Sequence, residues 1–366
     1  MKIGLLCYPT SGGSGVVASE LGMALAARGH QIDLFSYRSP FRLRPVNDRF
    51  RWHEITIPQY PLFEYPSYGM AAACKVAEVD LDVLHCHYAY PHAVSGFLAK
   101  EMSGGRLKTV TTLHGTDLML VGQDASFARA TLFGLQKSDA VTAVSRFLKE
   151  KTPAWFEGAP PIEVIPDFVD TRRFVPGPKA KERTIVHISN FRPVKRSLDA
   201  VRAFYLMRRC KPATLVPIGD GPEVPAAKEL AERLGIQSDV RFVGEDPDVS
   251  RHLQKASLLL STSEFEGFGM TVLEAMSCGV PVVSTDSGGV REVLPESCGR
   301  IVGVGDVEGL ASAAWEILRD QNVARSMGDS GRRRAEEMFD VDRVVPQYEA
   351  LYQRVCGASN AENISV

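Results

Sequence analysis

No stretch of this 366-residue chain approaches the length of a membrane-spanning helix. Neither sign of charge dominates: 42 Lys and Arg against 44 Asp and Glu leave a formal charge of −2. The first lack argues against a membrane protein. The second removes the general basic surface that a nucleic-acid partner would want. Cys-x-x-Cys pairs are also missing. The seven cysteines, Cys7, Cys74, Cys86, Cys210, Cys278, Cys298 and Cys356, are odd in number and irregularly spaced. That suits buried thiols in a reducing compartment better than a disulfide framework. The first strand is expected from Lys2, which leaves no room for a signal peptide, so a cytoplasmic location is expected. What is present is ordinary globular material: 45% hydrophobic and 23% charged residues, over a length that predicts two domains.

The chain alternates strand and helix twice over. Lys2–Tyr8, Gln31–Tyr37, Val83–His87, Lys108–Leu113 and Ala140–Ala143 read as short apolar strands, with a glycine-rich turn at Ser11–Gly15 and a helix over Val16–Arg28. A second run, Thr184–Ser189, Ala213–Gly219, Val240–Val243, Leu258–Ser261 and Pro281–Thr285, is separated by helices at Ser197–Arg209, Glu223–Leu234 and Thr271–Ser277. Arg38–Pro66 lacks a clean period and reads as a long excursion at the strand ends. Such alternation predicts α/β architecture, here two doubly wound Rossmann-like domains with a ligand cleft between opposed strand ends. Ile165–Asp170 and the following Pro176-Gly177-Pro178 mark the boundary. The expected organisation is 1–167, 168–340, and a last segment 341–366 with a helix over Val341–Val355 and a frayed tail from Gly357.

The densest chemistry lies in Ser263-Glu264-Phe265-Glu266-Gly267-Phe268-Gly269-Met270-Thr271-Val272-Leu273-Glu274-Ala275-Met276. Gly267 and Gly269 let backbone N–H groups approach a ligand. The helix starting near Met270 offers unpaired N–H groups and a positive dipole end, which suit a diphosphate. Glu266 and Glu274, eight residues apart, can accept hydrogen bonds from sugar hydroxyls. A plain strand–turn–helix connection with an acidic helix start would give a similar string.

This segment resembles the signature of the retaining GT-B glycosyltransferases, the large family that includes sucrose and mannosyl transferases. Gly12-Gly13-Ser14-Gly15, Thr112-Leu113-His114-Gly115, Val164-Ile165-Pro166-Asp167, Gly219-Asp220-Gly221-Pro222-Glu223 and Ala275-Met276-Ser277-Cys278-Gly279-Val280-Pro281 agree in order and spacing, so the resemblance covers nearly the whole chain. A narrower resemblance to the bacillithiol-pathway branch rests on Pro40-Phe41-Arg42-Leu43, His85-Cys86-His87-Tyr88-Ala89-Tyr90-Pro91-His92, Thr111–Asp117 and His187–Arg196. That branch implies transfer of GlcNAc from UDP-GlcNAc to L-malate with retention of the α configuration, along a front-face path in which the departing phosphate accepts the acceptor's proton. It implies no cofactor and no metal. Glu266 would hold the donor sugar and Glu274 the ribose. Gly13, Gly15, Gly267, Phe268, Gly269, Met270 and Thr271 would complete the donor site. Lys195 would neutralise the leaving diphosphate, and His114 would contact the sugar near its 6-hydroxyl. The family's usual arginine, five residues before the lysine, falls on Asn190, so Arg192 is the candidate substitute. Malate's two carboxylates need fixed donors. Ser14, Arg42, Tyr88, Thr116 and Asn190 are the acceptor candidates, with Arg129 as a further one.

Other readings stay open. Gly13-x-Gly15-x-x-Ala18 also fits a dinucleotide fingerprint, but the acid expected at the end of the second strand is missing: Asp33 lies inside Gln31–Tyr37. A non-catalytic nucleotide-sugar-binding protein would keep the same motifs. Another small acceptor such as inositol phosphate, or a lipid acceptor, is an alternative within the family. His85, His87, His92 and His114 invite a metal reading, yet carboxylates at closed-site spacing are lacking. Lys195, Arg192 and Arg196 can equally be a solvated basic turn. A homodimer is left open.

Overall fold

Short strands buried on both faces read as continuous apolar runs, and helices that cover them return the chain to the same edge of the sheet. The computed structural model describes residues 1–10, 12–44, 47–57, 67–121, 124–180, 182–208 and 212–362; Ser11 and Cys210 lie outside these. By its contacts the chain divides into one unit of Met1–Pro166 with Asp342–Val366 and a second of Asp167–Val341.

The first unit contains β1 (Lys2–Leu6), α1 (Gly13–Ala27), β2 (Gln31–Ser36), β3 (Phe50–Glu54), α2 (Tyr68–Ala77), β4 (Val83–His87), α3 (Val94–Met102), β5 (Lys108–Leu113), α4 (Ala128–Lys137), β6 (Ala140–Ala143), α5 (Arg146–Trp155) and β7 (Ile162–Val164). The seven strands are parallel in the order β3-β2-β1-β4-β5-β6-β7. Leu6, Phe35, Leu84 and Cys86 pack beneath Ala72, Ala73 and Val76 of α2 and Ala99 of α3.

The second unit holds β8 (Arg183–Ile188), α6 (Ser197–Arg208), β9 (Ala213–Ile218), α7 (Val224–Arg233), α8 (Ser250–Leu253), β10 (Leu258–Ser261), α9 (Met270–Ser277), β11 (Val282–Thr285), α10 (Val290–Val293), β12 (Gly299–Val302), α11 (Val307–Arg319) and α12 (Gln321–Met338). Its five parallel strands run β12-β11-β10-β8-β9. Ile185, Leu215, Leu260 and Val283 form the core with Phe204 of α6, Leu230 of α7 and Ile317 of α11.

The last helix, α13 (Val341–Glu362), packs within the first unit. Tyr348 and Tyr352 are fully buried, and the Tyr352 hydroxyl meets His85 Nδ1 at 2.7 Å. Glu349 takes Arg28 and His30, each at 2.9 Å. A tail frayed from Gly357 is therefore corrected: helix continues to Glu362.

Two further expectations are corrected. Arg38–Pro66 is not aperiodic throughout, because β3 lies within it; residues 45–46 and 58–66 are outside the described ones. Val240–Val243 is not a strand but touches β9 through isolated bridges at Val240 and Gly244. Arg241 and Val243 donate to the carbonyls of Leu215 and Pro217 at 2.8 and 3.0 Å. Pro217 has no N–H to return, so the ladder breaks there.

Both sheets reverse their winding direction once, between β1 and β4 in the first and between β8 and β10 in the second. Open α/β sheets bind ligands outside the carboxyl ends of the strands at such points. The loops after β1, β4 and β5, and those after β8 and β10, are the ones the sequence motifs occupy.

Candidate active site

In the second unit, the loop after β8 carries Asn190, Arg192 and Lys195. A directed relay ties it to the sheet. His187 Nδ1 lies 2.9 Å from the Leu260 carbonyl, so Nδ1 must carry the proton and Nε2 must accept. Ser197 Oγ donates to Nε2 at 3.1 Å, Ser189 Oγ donates to Ser197 Oγ at 2.9 Å, and the Phe191 N–H donates to Ser189 Oγ at 3.1 Å. Burial pulls the His187 pKa down to about 4, which keeps the relay neutral. The Gly219-Asp220-Gly221 turn presses against the same loop. A Cβ at Gly219 would lie 1.8 Å from the Ser189 carbonyl oxygen, and one at Gly221 2.0 Å from that of Asn190, so only glycine fits.

The loop after β10 grips this loop from the other side. Thr262 Oγ1 donates to the Lys195 and Arg196 carbonyls at 2.9 and 3.1 Å, and the Glu264 N–H to Val194 at 2.8 Å. The result brings Lys195 Nζ to 2.7 Å from Glu266 Oε1. Ser263 Oγ donates to the same oxygen at 2.6 Å. A strap from β11 closes over the motif: the Glu266 N–H donates to Ser287 O at 2.7 Å, and the Gly289 N–H donates to Glu266 O at 3.0 Å.

Gly269, at φ +110°, turns the chain into α9, whose start has no side-chain cap and no acidic residue in its first turn. The amides of Met270 and Thr271 thus head a helix dipole without internal neutralisation. Glu274 follows one turn later and is buried at 1% exposure. Phe268 belongs to the site only through its backbone, since its ring is buried and edge-on to Phe339 at 5.6 Å between centroids. Arg192 is exposed, and among the described residues its side chain makes no ion pair, so nothing draws it to Lys195 or Glu266. Asn190 is half-buried and its amide oxygen is buried without a partner among the described residues, a group that needs a ligand or water.

In the first unit, the turn after β1 leads into α1. A Cβ on Gly15 would sit 2.4 Å from the Tyr8 carbonyl oxygen and 2.8 Å from that of Thr10, whereas one on Gly13 would meet nothing among the described residues. Of the two glycines in the expected donor loop, only Gly15 is required by space. Ser14 is buried in the first turn of α1, and Arg42 is buried at 8% exposure. Tyr88 follows β4 at φ +112° and donates its N–H to Thr112 O at 3.1 Å. Its ring lies 5.8 Å from that of His114 and 5.5 Å from that of Tyr8. Asp117 staples the two loops: its carboxylate accepts the Ala89 N–H at 3.0 Å, the Gly115 N–H at 2.9 Å and the His114 N–H at 3.2 Å. Burial raises its pKa to about 6, against the pull of these amides. The structure therefore joins Tyr88 and His114 at the ends of β4 and β5, with Thr116 on the same loop between Gly115 and Asp117.

The histidines bond mainly to other protein groups, although His87 Nε2 is buried without a hydrogen-bond partner among the described residues. His85 is bonded to Tyr352 at 2.7 Å and Thr112 at 2.6 Å. His92 is bonded to the His87 carbonyl at 2.6 Å and Tyr68 at 3.2 Å. His87 Nδ1 meets His114 Nε2 at 3.0 Å. Burial lowers the pKa of His85 and His114 to about 3, that of His92 to about 4 and that of His87 well below 6.5. His114 can thus serve as a neutral hydrogen-bonding group, not as a cationic acid. Among the described residues, no three His, Cys, Asp or Glu side chains are grouped to hold a metal ion, and no helix is long and apolar enough to cross a membrane.

Sequence reasoning overlooked Ser263, Asp117 and the Ser189–Ser197–His187 relay. Ser263, three residues before Glu266 on a loop, was the most findable, because serine so placed commonly bonds a neighbour.

Two family models match the chain, "Glycosyltransferase Family 4" over residues 11–173 and "Glycosyl transferases group 1" over 168–334. The N-acetyl-alpha-D-glucosaminyl L-malate synthase of Bacillus anthracis is 42% identical over 97% of each chain. The phosphatidyl-myo-inositol mannosyltransferase of Mycolicibacterium smegmatis is 26% identical over 100% of this chain and 97% of its own. In structure, a sucrose-phosphate synthase from Thermosynechococcus elongatus superposes with TM-score 0.82 at 22% identity, over 98% of this chain and 99% of that one. HepE of Anabaena in complex with UDP and glucose gives TM-score 0.80 at 19% identity, over 96% and 99%. A relative matched end to end at 42% identity fixes the family that the two-sheet architecture alone could not, and the chain belongs to the GT-B glycosyltransferases.

Proposed function

We propose that this enzyme transfers GlcNAc from UDP-GlcNAc to the hydroxyl of L-malate, retaining the α configuration, as a cytoplasmic step of bacillithiol biosynthesis that needs neither metal nor cofactor. The observation that carries the reading is the 42% identity, along 97% of both chains, to a relative named for that product. In this reading the second unit handles the donor. Glu266 binds sugar hydroxyls, Glu274 the ribose, and the backbone from Gly267 to Thr271 the phosphates. The bond from the sugar's anomeric carbon to the β-phosphate oxygen breaks with its electrons going to UDP. Lys195, with Arg192 swinging in from solvent, meets the charge that develops there. The malate hydroxyl attacks from the face the phosphate leaves, and its proton passes to that phosphate. In the first unit, Gly13 and Gly15 lend backbone amides to the donor, and neutral His114 bonds the donor sugar. Ser14, Arg42, Tyr88 and Thr116, with Asn190 of the second unit, bind the malate carboxylates and hydroxyl.

A pocket of fixed polar donors rejects analogues that leave those donors unpaired, often by about 10⁴-fold. UDP release measured with L-malate, D-malate, lactate, glycerol and inositol phosphate, with mass spectrometry of the products, tests the reading. L-malate is expected to dominate, with lactate and neutral polyols poor. Faster turnover with inositol phosphate would refute the acceptor assignment and leave the transferase class.

A further inference from the structure

Two donors converge on one oxygen of Glu266, and they are not equivalent. Lys195 Nζ and Ser263 Oγ reach Oε1 at 2.7 and 2.6 Å, which leaves Oε2 without a hydrogen bond from the described residues. Lys195 ends a flexible four-carbon stem, its side chain 22% exposed, and its compact charge can change partner without moving the backbone. Ser263 cannot follow. It is buried at 4% exposure, and its carbonyl accepts Thr285 Oγ1 of β11 at 2.5 Å. Its neighbours Thr262 and Glu264 are both bonded to the Val194–Arg196 backbone.

We propose that Ser263 is a positioning residue of donor recognition: its hydroxyl keeps Glu266 in place for the donor sugar when Lys195 passes from Glu266 to the diphosphate. The proposal rests on the assignment of Glu266 to the sugar and Lys195 to the diphosphate. A carboxylate held by lysine alone would lose its only tether on donor binding. Held also by a hydroxyl anchored between β10 and β11, it keeps one oxygen fixed and presents the other. Removing the hydroxyl therefore penalises recognition of the sugar and spares that of the nucleotide, a split that a general loss of folding would not produce.

The test compares UDP affinity by calorimetry with UDP-GlcNAc KM and kcat for the full chain carrying Ser263→Ala, Ser263→Thr or Glu266→Gln. Ser263→Ala is expected to raise the UDP-GlcNAc KM about tenfold, to leave UDP affinity within about twofold and to barely move the melting temperature. Ser263→Thr, which restores the hydroxyl, should recover most of the KM; if the extra methyl is not accommodated, the alanine variant decides alone. An unchanged UDP-GlcNAc KM in Ser263→Ala overturns the proposal. So does an equal weakening of UDP and UDP-GlcNAc with a lowered melting temperature, which would make Ser263 merely structural. Glu266→Gln separates the two levels: if it too leaves KM and kcat unchanged, the assignment of Glu266 to the sugar has failed, whereas a damaged Glu266→Gln beside a normal Ser263→Ala refutes the role of Ser263 alone.

Discussion

Glu266→Gln should bind UDP more tightly than the parent while turning over far more slowly. The reason is the Lys195–Glu266 ion pair at 2.7 Å, which a diphosphate must compete with before it can take the lysine. With charge centres about 4 Å apart and an effective dielectric of about 20, the gross attraction is about 4 kcal/mol. The side chains keep 22% and 20% exposure, so water screens the pair, and fixing a long lysine has an entropic cost; the net worth falls to about 1 kcal/mol. Glutamine is isosteric and can still accept the Ser263 hydroxyl, but it holds no charge against the phosphate. Freed of the competition, UDP affinity is expected to improve about fivefold. Turnover with UDP-GlcNAc should fall by about 10²-fold or more, because an amide replaces a carboxylate oxygen where charged hydrogen bonds to sugar hydroxyls are worth about 1.5–3 kcal/mol each. Calorimetric titration of UDP, beside steady-state turnover, reads both effects, and the affinity gain should shrink in high salt. Equal or weaker UDP binding by the glutamine variant would refute the idea that Lys195 leaves Glu266 for the phosphate.

Lys195→Ala should lower turnover about 10²–10³-fold, as for the loss of one group that stabilises developing charge, with little change in melting temperature; a large drop in melting temperature with normal turnover would make the lysine structural. Activity should persist without added metal and in excess chelator, and a complete, metal-reversible loss would return the histidines to consideration as ligands. Asp117 has a folded-state pKa of about 6 against an ordinary 3.8, so between these values the native state binds more protons than the unfolded chain and this group's contribution to stability falls as pH rises. Asp117→Asn should flatten that part of a melting-temperature profile from pH 4 to 7. It should also weaken UDP-GlcNAc and malate together, because one amide oxygen cannot accept from both the Ala89 and His114 loops; an unaltered profile slope would exclude Asp117 as its source.

What the sequence announced and what it hid differ in a physical way. The parallel strands were visible because burial on both faces forces apolar runs such as Val282–Thr285 and Leu258–Ser261, where every residue is buried. Edge strand β3 was not, because its Phe50–Glu54 stretch exposes Arg51, Trp52 and Glu54 and so carries no such run. The segment Val240–Val243 looked like a strand because its own residues suit one; the obstacle, Pro217, lies on the neighbouring strand. The same division runs through the site. Glu266 and Glu274 stand out locally, since carboxylates around a glycine-rich helix start already suggest a sugar diphosphate, whereas Lys195, in a stretch without glycine, takes its role from the resemblance. The glycines were marked but not explained: Gly13 and Gly15 look alike in the string, and only the carbonyls of Tyr8 and Thr10 distinguish them. Phe268 sits in the middle of the motif, yet its ring serves the core against Phe339, 71 residues on. His187 takes its tautomer from Leu260, 73 residues away, and Asp117 reaches back 28 residues to Ala89. A group that meets a ligand must carry the matching chemistry itself, so its residue type is informative. A group that holds such a residue in place needs only an ordinary hydroxyl or carboxylate, and its meaning lies in a partner that the fold brings from far along the chain.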